Sequence, residues 1–190
     1  MTYSVIIPTF ERFNWLLECI DSVLKQEVRP GELIVVDDGS LCGEKKRQYC
    51  EKLNQNTDVD IIFKINDRNS GACKSRNIGA EIARFEYIAF LDDDDLWHGS
   101  KASRQLPKLK KNYDITCSNA FLLQETNVVG QTNYILRSNI KRQILTENFI
   151  SSPTNLINRE LFFKSGKFDT DFPALQDRDL WTNMILHGAR

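Results

Sequence analysis

The chain is short of several things, and each shortage removes a class of explanation. Its five cysteines, Cys19, Cys42, Cys50, Cys73 and Cys117, are odd in number and never spaced C-x-x-C, so neither a disulfide framework nor a zinc site is indicated. The two histidines, His98 and His187, stand too far apart for a local metal motif. A basic excess is missing: the net charge is -1, whereas a dedicated nucleic-acid binder carries a clear positive surplus. No apolar run approaches the roughly 20 residues needed to cross a bilayer, and the first residues lack the basic and apolar regions of a secretion signal. The expectation is a soluble, cytoplasmic chain, with peripheral contact at the inner face of a membrane left open. Neither G-x-x-x-x-G-K-[ST] nor G-x-G-x-x-G occurs, which removes P-loop enzymes and argues against dinucleotide-type Rossmann enzymes. An EF-hand loop fails as well, because Leu96 stands where an oxygen ligand belongs and Trp97 where a glycine does.

What is present is an ordinary globular composition, 41% hydrophobic and 27% charged over 190 residues. That suits a single domain over 1–190 with one sizeable core. The most informative stretch is Tyr87-Ile88-Ala89-Phe90-Leu91 followed by Asp92-Asp93-Asp94-Asp95-Leu96-Trp97. The apolar run reads as a strand buried on both faces, as in a parallel sheet covered by helices. The acids then lie at its carboxyl end, where open α/β sheets place their ligands. Four adjacent carboxylates repel one another, so a compensating cation is expected, with a hard divalent ion the natural candidate. Leu96-Trp97 suggests that the loop folds back onto the core.

Along the chain, Ser4 to Thr9 reads as a strand stopped by Pro8. Apolar residues at Leu16, Leu17, Ile20, Val23 and Leu24 then predict a helix over 14–26 with Asn14 as its N-cap. Glu32 to Val36 is a second apolar strand, ending in Asp37-Asp38-Gly39-Ser40; strand, helix, strand with short connections means a parallel pair with a right-handed crossover. Helices are expected at 43–53, 72–83, 101–112 (despite Pro107), 159–164 and 177–187. Further strands are expected at 60–65, within 115–125 and at 154–157. The short basic cluster Lys45-Lys46-Arg47 reads as a solvated helix face. Residues 127–148 are weakly patterned and read as a flap. The chain stops soon after a good helix, which suggests truncation at its C-terminus. The halves divide as 1–100, nucleotide-binding, and 101–190, acceptor side.

Two acidic strand ends in one sheet, Asp37-Asp38 and Asp92 to Asp95, suit a metal-bound nucleotide. One can accept hydrogen bonds from base or ribose while the other carries the ion that neutralises a diphosphate. A D-x-D phosphatase or nucleotidyltransferase stays open, although acids near the first strand would be expected there. Asp37-Asp38-Gly39 could also be a plain turn.

Ser4-Val5-Ile6-Ile7-Pro8-Thr9, Ile34 to Ser40, Asn69-Ser70-Gly71 with Arg76-Asn77, Phe90 to Trp97 and Gln176-Asp177-Arg178-Asp179-Leu180-Trp181 together resemble the ordered motifs of family 2 inverting glycosyltransferases with the GT-A fold. The resemblance covers nearly the whole chain. It implies an α/β fold with a mostly parallel central sheet and helices on both faces. It also implies a nucleotide-sugar donor such as a UDP-sugar, a Mn2+ or Mg2+ ion at a D-x-D element, and transfer with inversion to a saccharide or lipid-linked saccharide, as in polysaccharide biosynthesis. By that resemblance Pro8, Thr9 and Glu11 lie along the base and Asp38 holds its edge. Arg76 is the cation near the nucleotide. Asp92 and Asp94 frame the D-x-D, Asp94 touching the metal directly and Asp93 nearer the ribose or donor sugar. Asp177 matches the base, and the helix N-terminus is expected to hold its pKa down; the competing reading is a simple N-cap. Many members carry Glu where Gln176 stands. Trp97 and Trp181 either pack the core or shelve the sugar. A module that binds nucleotide-sugar without transferring it is the other alternative.

Overall fold

The computed structural model describes residues 2–111, 113–134, 139–147, 150–172 and 174–190. The expected helix end at Asn112, Pro173, and positions 135–138 and 148 of the expected flap lie outside the described residues. In chain order the elements are β1 (Tyr3–Thr9), α1 (Phe13–Leu24), β2 (Glu32–Asp37), α2 (Gly43–Asn54), β3 (Asp60–Ile65), α3 (Ala72–Ile82), β4 (Tyr87–Phe90) and α4 (Lys101–Leu109). There follow β5 (Ile115–Cys117), β6 (Phe121–Gln124), β7 (Asn127–Gln131), α5 (Ile140–Thr146), β8 (Asn155–Asn158), α6 (Arg159–Lys164) and α7 (Gln176–Leu186).

Six strands form one sheet in the order β3-β2-β1-β4-β8-β5. The first four are parallel, and β8 runs antiparallel to both β4 and β5. Because successive side chains on a strand face opposite ways, β1 splits between two layers. Tyr3, Val5 and Ile7 pack with α1, α2 and α4, while Ile6 packs with α3, α5, α6 and α7. Chain direction explains the division. From β1 to β3 the sheet grows one way, then α3 carries the chain back past β2 and β1 to β4. Right-handed crossovers in opposite directions must use opposite faces. The strand order therefore reverses between β1 and β4, and a crevice opens there at the carboxyl ends.

Three local expectations are corrected. Pro8 does not end β1, which runs to Thr9 with Pro8 opposite Val36. Pairing of β1 with β4 stops at Ile6, so Pro8 sits where β1 has one neighbour only and its missing N–H costs no ladder bond. Helix α1 begins at Phe13, preceded by Arg12 and without a side-chain cap, so Asn14 is inside it. Helix α4 carries Pro107 and ends two residues later at Leu109. The flap region holds β7 and α5, and β7 pairs with β6 as a separate hairpin.

Candidate functional site

Four loops converge on the crevice. A cavity of ≈ 330 Å³ is lined by Pro8 and Thr9 from the end of β1, Asp38 from the end of β2, Ser75 and Arg76 from α3, and Asp92, Asp93 and Asp94 after β4. Two acidic clusters more than fifty residues apart in sequence thus share one wall, as expected from their strand-end positions. Phe10, Arg12, Asn69, Gly71 and Ala72 complete the lining. Glu11 does not line it; its carboxylate accepts from the Leu41 N–H at 2.6 Å, and its backbone is left-handed, with φ 56°. Asp177 lies outside the lining too, but within electrostatic reach of Arg76 and Asp92.

Charge balance in the acidic loop is met by guanidinium groups. Arg76 pairs with Asp92, and Arg12 bridges Asp94 at 2.6 Å and Asp93 at 3.2 Å. Arg12 was not singled out by sequence reasoning, because it sits in an unpatterned loop 81 and 82 residues before the two acids it meets. Asp95 has no such partner among the described residues: burial, then Asp92 and Asp94, push it up to about 6. Burial also raises Asp93, against the opposing pull of Thr9 and Arg12. Among the described residues Arg76 Nε is buried without a hydrogen-bond partner, while Nη2 holds Asp92 at the cavity wall.

Asp38 is buried at 3% exposure and shapes the loop opposite. Its carboxylate accepts from the backbone N–H groups of Ser70 and Gly71, at 3.0 and 2.7 Å, and from the Asn66 amide at 2.8 Å. These bonds fix Asn69-Ser70-Gly71 against the end of β2, and Gly71 adopts φ 90°, which favours glycine. The adjacent Asp37 is fully buried in an ion pair with Lys46 at 2.7 Å. Lys46 therefore does not lie on a solvated face, as its neighbours Lys45 and Arg47 had implied; α2 turns Lys46 inward, under the β1 and β2 ends.

At α7 the expected pKa direction is reversed. Asp177 accepts from the Arg178 N–H at 2.7 Å, and that bond and Arg76 pull its carboxyl down. Burial outweighs them and raises it, with Asp92 adding to the rise. Trp97 and Trp181 both belong to the core: Trp181 is fully buried, and Trp97 is 7% exposed with its indole N–H on Pro153 O. Leu96 stays half-exposed, so only one of the two apolar residues after the acids folds back. His98 turns to Ser100 rather than to the cavity.

Among the described residues no three His, Cys, Asp or Glu side chains form a metal cage of their own. A hard cation held by one or two carboxylates and completed by phosphate oxygens needs none. Asp92 and Asp94, both reachable from solvent, fit that pattern.

Known proteins resemble this chain in sequence and in fold. WcaA of Escherichia coli (strain K12), whose name provisionally assigns it to colanic acid biosynthesis as a glycosyl transferase, is 32% identical over 192 residues, covering 96% of this chain and 66% of that protein. GlyG of Streptococcus pneumoniae, named a glycosyltransferase, is 28% identical, covering 88% of this chain and 62% of its own. Against the first curated relatives the chain spans between 26% and 66% of their length. The fold matches the mannosyltransferase PcManGT of Pyrobaculum calidifontis, solved with GDP-Man and Mn2+, at TM-score 0.75 and 20% identity, over 99% of this chain and 53% of that one. It also matches S. aureus TarS 1-349 with UDP-GlcNAc at TM-score 0.70 and 23% identity, over 97% and 54%. The fold is accordingly of GT-A type. The model for glycosyl transferase family 2 matches residues 4–178, a span that takes in both acidic strand ends and reaches the start of α7, and the chain belongs to that family.

Proposed function

We propose that this chain forms the donor-binding and catalytic part of a metal-dependent, inverting glycosyltransferase that moves a sugar from a nucleoside-diphosphate donor, UDP-linked in the first instance, to a saccharide or lipid-linked saccharide. One observation carries the reading: the ends of β1, β2 and β4 and the first turns of α3 enclose one cavity whose wall holds Asp38, Arg76, Asp92, Asp93 and Asp94. Base and ribose lie against Pro8, Thr9 and Asp38, and Asp93 accepts from a donor hydroxyl. Arg76, in the cavity wall beside Asp92, supplies positive charge to the diphosphate. Asp92 and Asp94 would hold Mn2+ or Mg2+, which would supply Lewis-acid stabilisation of the leaving diphosphate. Asp177, raised by burial, takes the acceptor hydroxyl's proton as that oxygen attacks the anomeric carbon from the face opposite the leaving group. A raised pKa makes the ionised form a stronger base.

Calorimetry with UDP, GDP and CMP, with and without Mn2+, tests the reading. Metal-dependent binding of one nucleotide is expected, together with transfer from the matching sugar donor. Binding without transfer to any saccharide acceptor leaves a donor-binding module. Absence of binding to all three nucleotides refutes both.

A further inference from the structure

Resting on that reading and deepening it, we infer that Lys46 is a positioning residue for the donor, acting on the cavity wall through the Thr9 hydroxyl. Lys46 has no exposed surface. An ammonium carries three protons and no lone pair, and each proton finds an acceptor: Asp37 Oδ1 at 2.7 Å, Ser40 Oγ at 2.9 Å and Thr9 Oγ1 at 3.1 Å. Thr9 Oγ1 in turn lies 2.6 Å from Asp93 Oδ2. Since Lys46 can only donate, Thr9 must accept on that side and direct its single proton to Asp93.

The same logic fixes Ser40. It accepts from Lys46 and from the Glu11 N–H at 2.8 Å, and donates to Asp37 Oδ1 at 2.6 Å. The three bonds of the ammonium thus run outward from it, and the one through Thr9 continues to a carboxylate of the cavity wall. With Oδ2 of Asp93 anchored by Thr9, its Oδ1 is the oxygen on the Arg12 side, 3.2 Å from that guanidinium. Stability alone is a weak reason for such a pair, because a buried ion pair replaced by apolar residues is often no less stable. Orientation of Asp93 is a stronger one.

Removing Lys46 alone would strand Asp37 as an uncompensated buried carboxylate, so the test uses Asp37→Asn with Lys46→Met, in which both charges leave together. Affinity for UDP in the presence of Mn2+ is measured for the wild type, for this pair variant, for Thr9→Val and for the three substitutions combined, with thermal melting to confirm folding. The pair variant and Thr9→Val are each expected to weaken binding by about tenfold or more, the scale of one charge-assisted bond. The combined variant is expected to bind no worse than Thr9→Val, because the ammonium acts only through that hydroxyl. Thr9→Ser, which keeps the hydroxyl, stays within about threefold. Multiplicative losses in the combined variant, or wild-type affinity in the pair variant, overturn the assignment. Should the pair variant melt below the assay temperature, Lys46→Arg supports the same comparison, since it keeps the charge but displaces the donors. A wild-type chain that binds no nucleoside diphosphate overturns the functional reading and this role with it, whereas intact wild-type binding with unaltered variants overturns the role alone.

Discussion

Asp177 and Lys101 show how burial decides the behaviour of single groups here. The ordinary aspartate value of 3.8 is raised at Asp177 chiefly by burial. A base works in its ionised form, so transfer should fall as pH is lowered through that raised value and level off above it. The acid limb of kcat is expected above the ordinary aspartate range, and a limb at or below 3.8 would contradict the assignment. Asp177→Asn keeps the shape and the bond from the Arg178 N–H, yet should lower kcat by roughly a hundredfold or more while donor affinity stays nearly intact. Asp94→Ala should do the reverse, weakening metal-dependent donor binding. Lys101 shifts the other way. Its ammonium lies 4.3 Å over the Trp97 ring and donates to Gln105 and to the Asn155 carbonyl, with no carboxylate paired to it among the described residues, and burial lowers it to about 7 from 10.5. Between those two values the unfolded chain binds the proton and the folded chain does not, so stability declines as pH falls across that window and levels off below it. Urea titrations of Lys101→Met should show the variant gaining on the wild type from pH 10 down to 7 and holding constant below.

At the scale of elements, most of the fold and part of the site were legible in the sequence. The four parallel strands are apolar runs with turn residues after them, and the ends of two of them, β2 and β4, carry the acids, so Asp38 and Asp92 to Asp94 could be placed together before any coordinates. Lys46 and Arg12 could not. Helix α2 is polar nearly all round, so no apolar stripe announces which side faces inward. Arg12 is matched to its acids only by the meeting of two loops. Asp177 was placed correctly at the start of α7, but its pKa depends on how deeply the helix end is packed, which local sequence does not record. The approach of α3 to the sheet is another feature settled by packing: a Cβ on Gly79 would stand 2.4 Å from Ile6 Cγ2. Gly79→Ala should therefore push α3 off β1, at a cost of about 1–3 kcal/mol for overpacking, read from urea midpoints. Because α3 also carries Arg76, donor affinity should fall with stability, whereas a substitution on the outer face of α3 at Lys74 should change neither.

For the molecule as a whole, the site is a seam rather than a part of either layer. The α1, α2 and α4 layer supplies Lys46 beneath the β1 and β2 ends, and the opposite layer supplies Arg76 and Asp177. A nucleoside diphosphate bound across the ends of β1, β2 and β4 would tie both layers to the sheet, and a ligand that binds only the folded chain stabilises it by mass action. At a donor concentration a hundredfold above Kd that amounts to about 2.7 kcal/mol. For a chain of this size each kcal/mol moves the midpoint by about 2–4 °C, so UDP with Mn2+ should raise Tm by roughly 5–10 °C. Mn2+ alone should do much less, because two carboxylates without phosphate oxygens complete only part of its shell. In Asp94→Ala the gain on adding UDP should be nearly the same with and without the metal. A large UDP shift that ignores Mn2+ in the wild type would place the diphosphate on Arg76 and Arg12 instead, and would remove the metal from the mechanism.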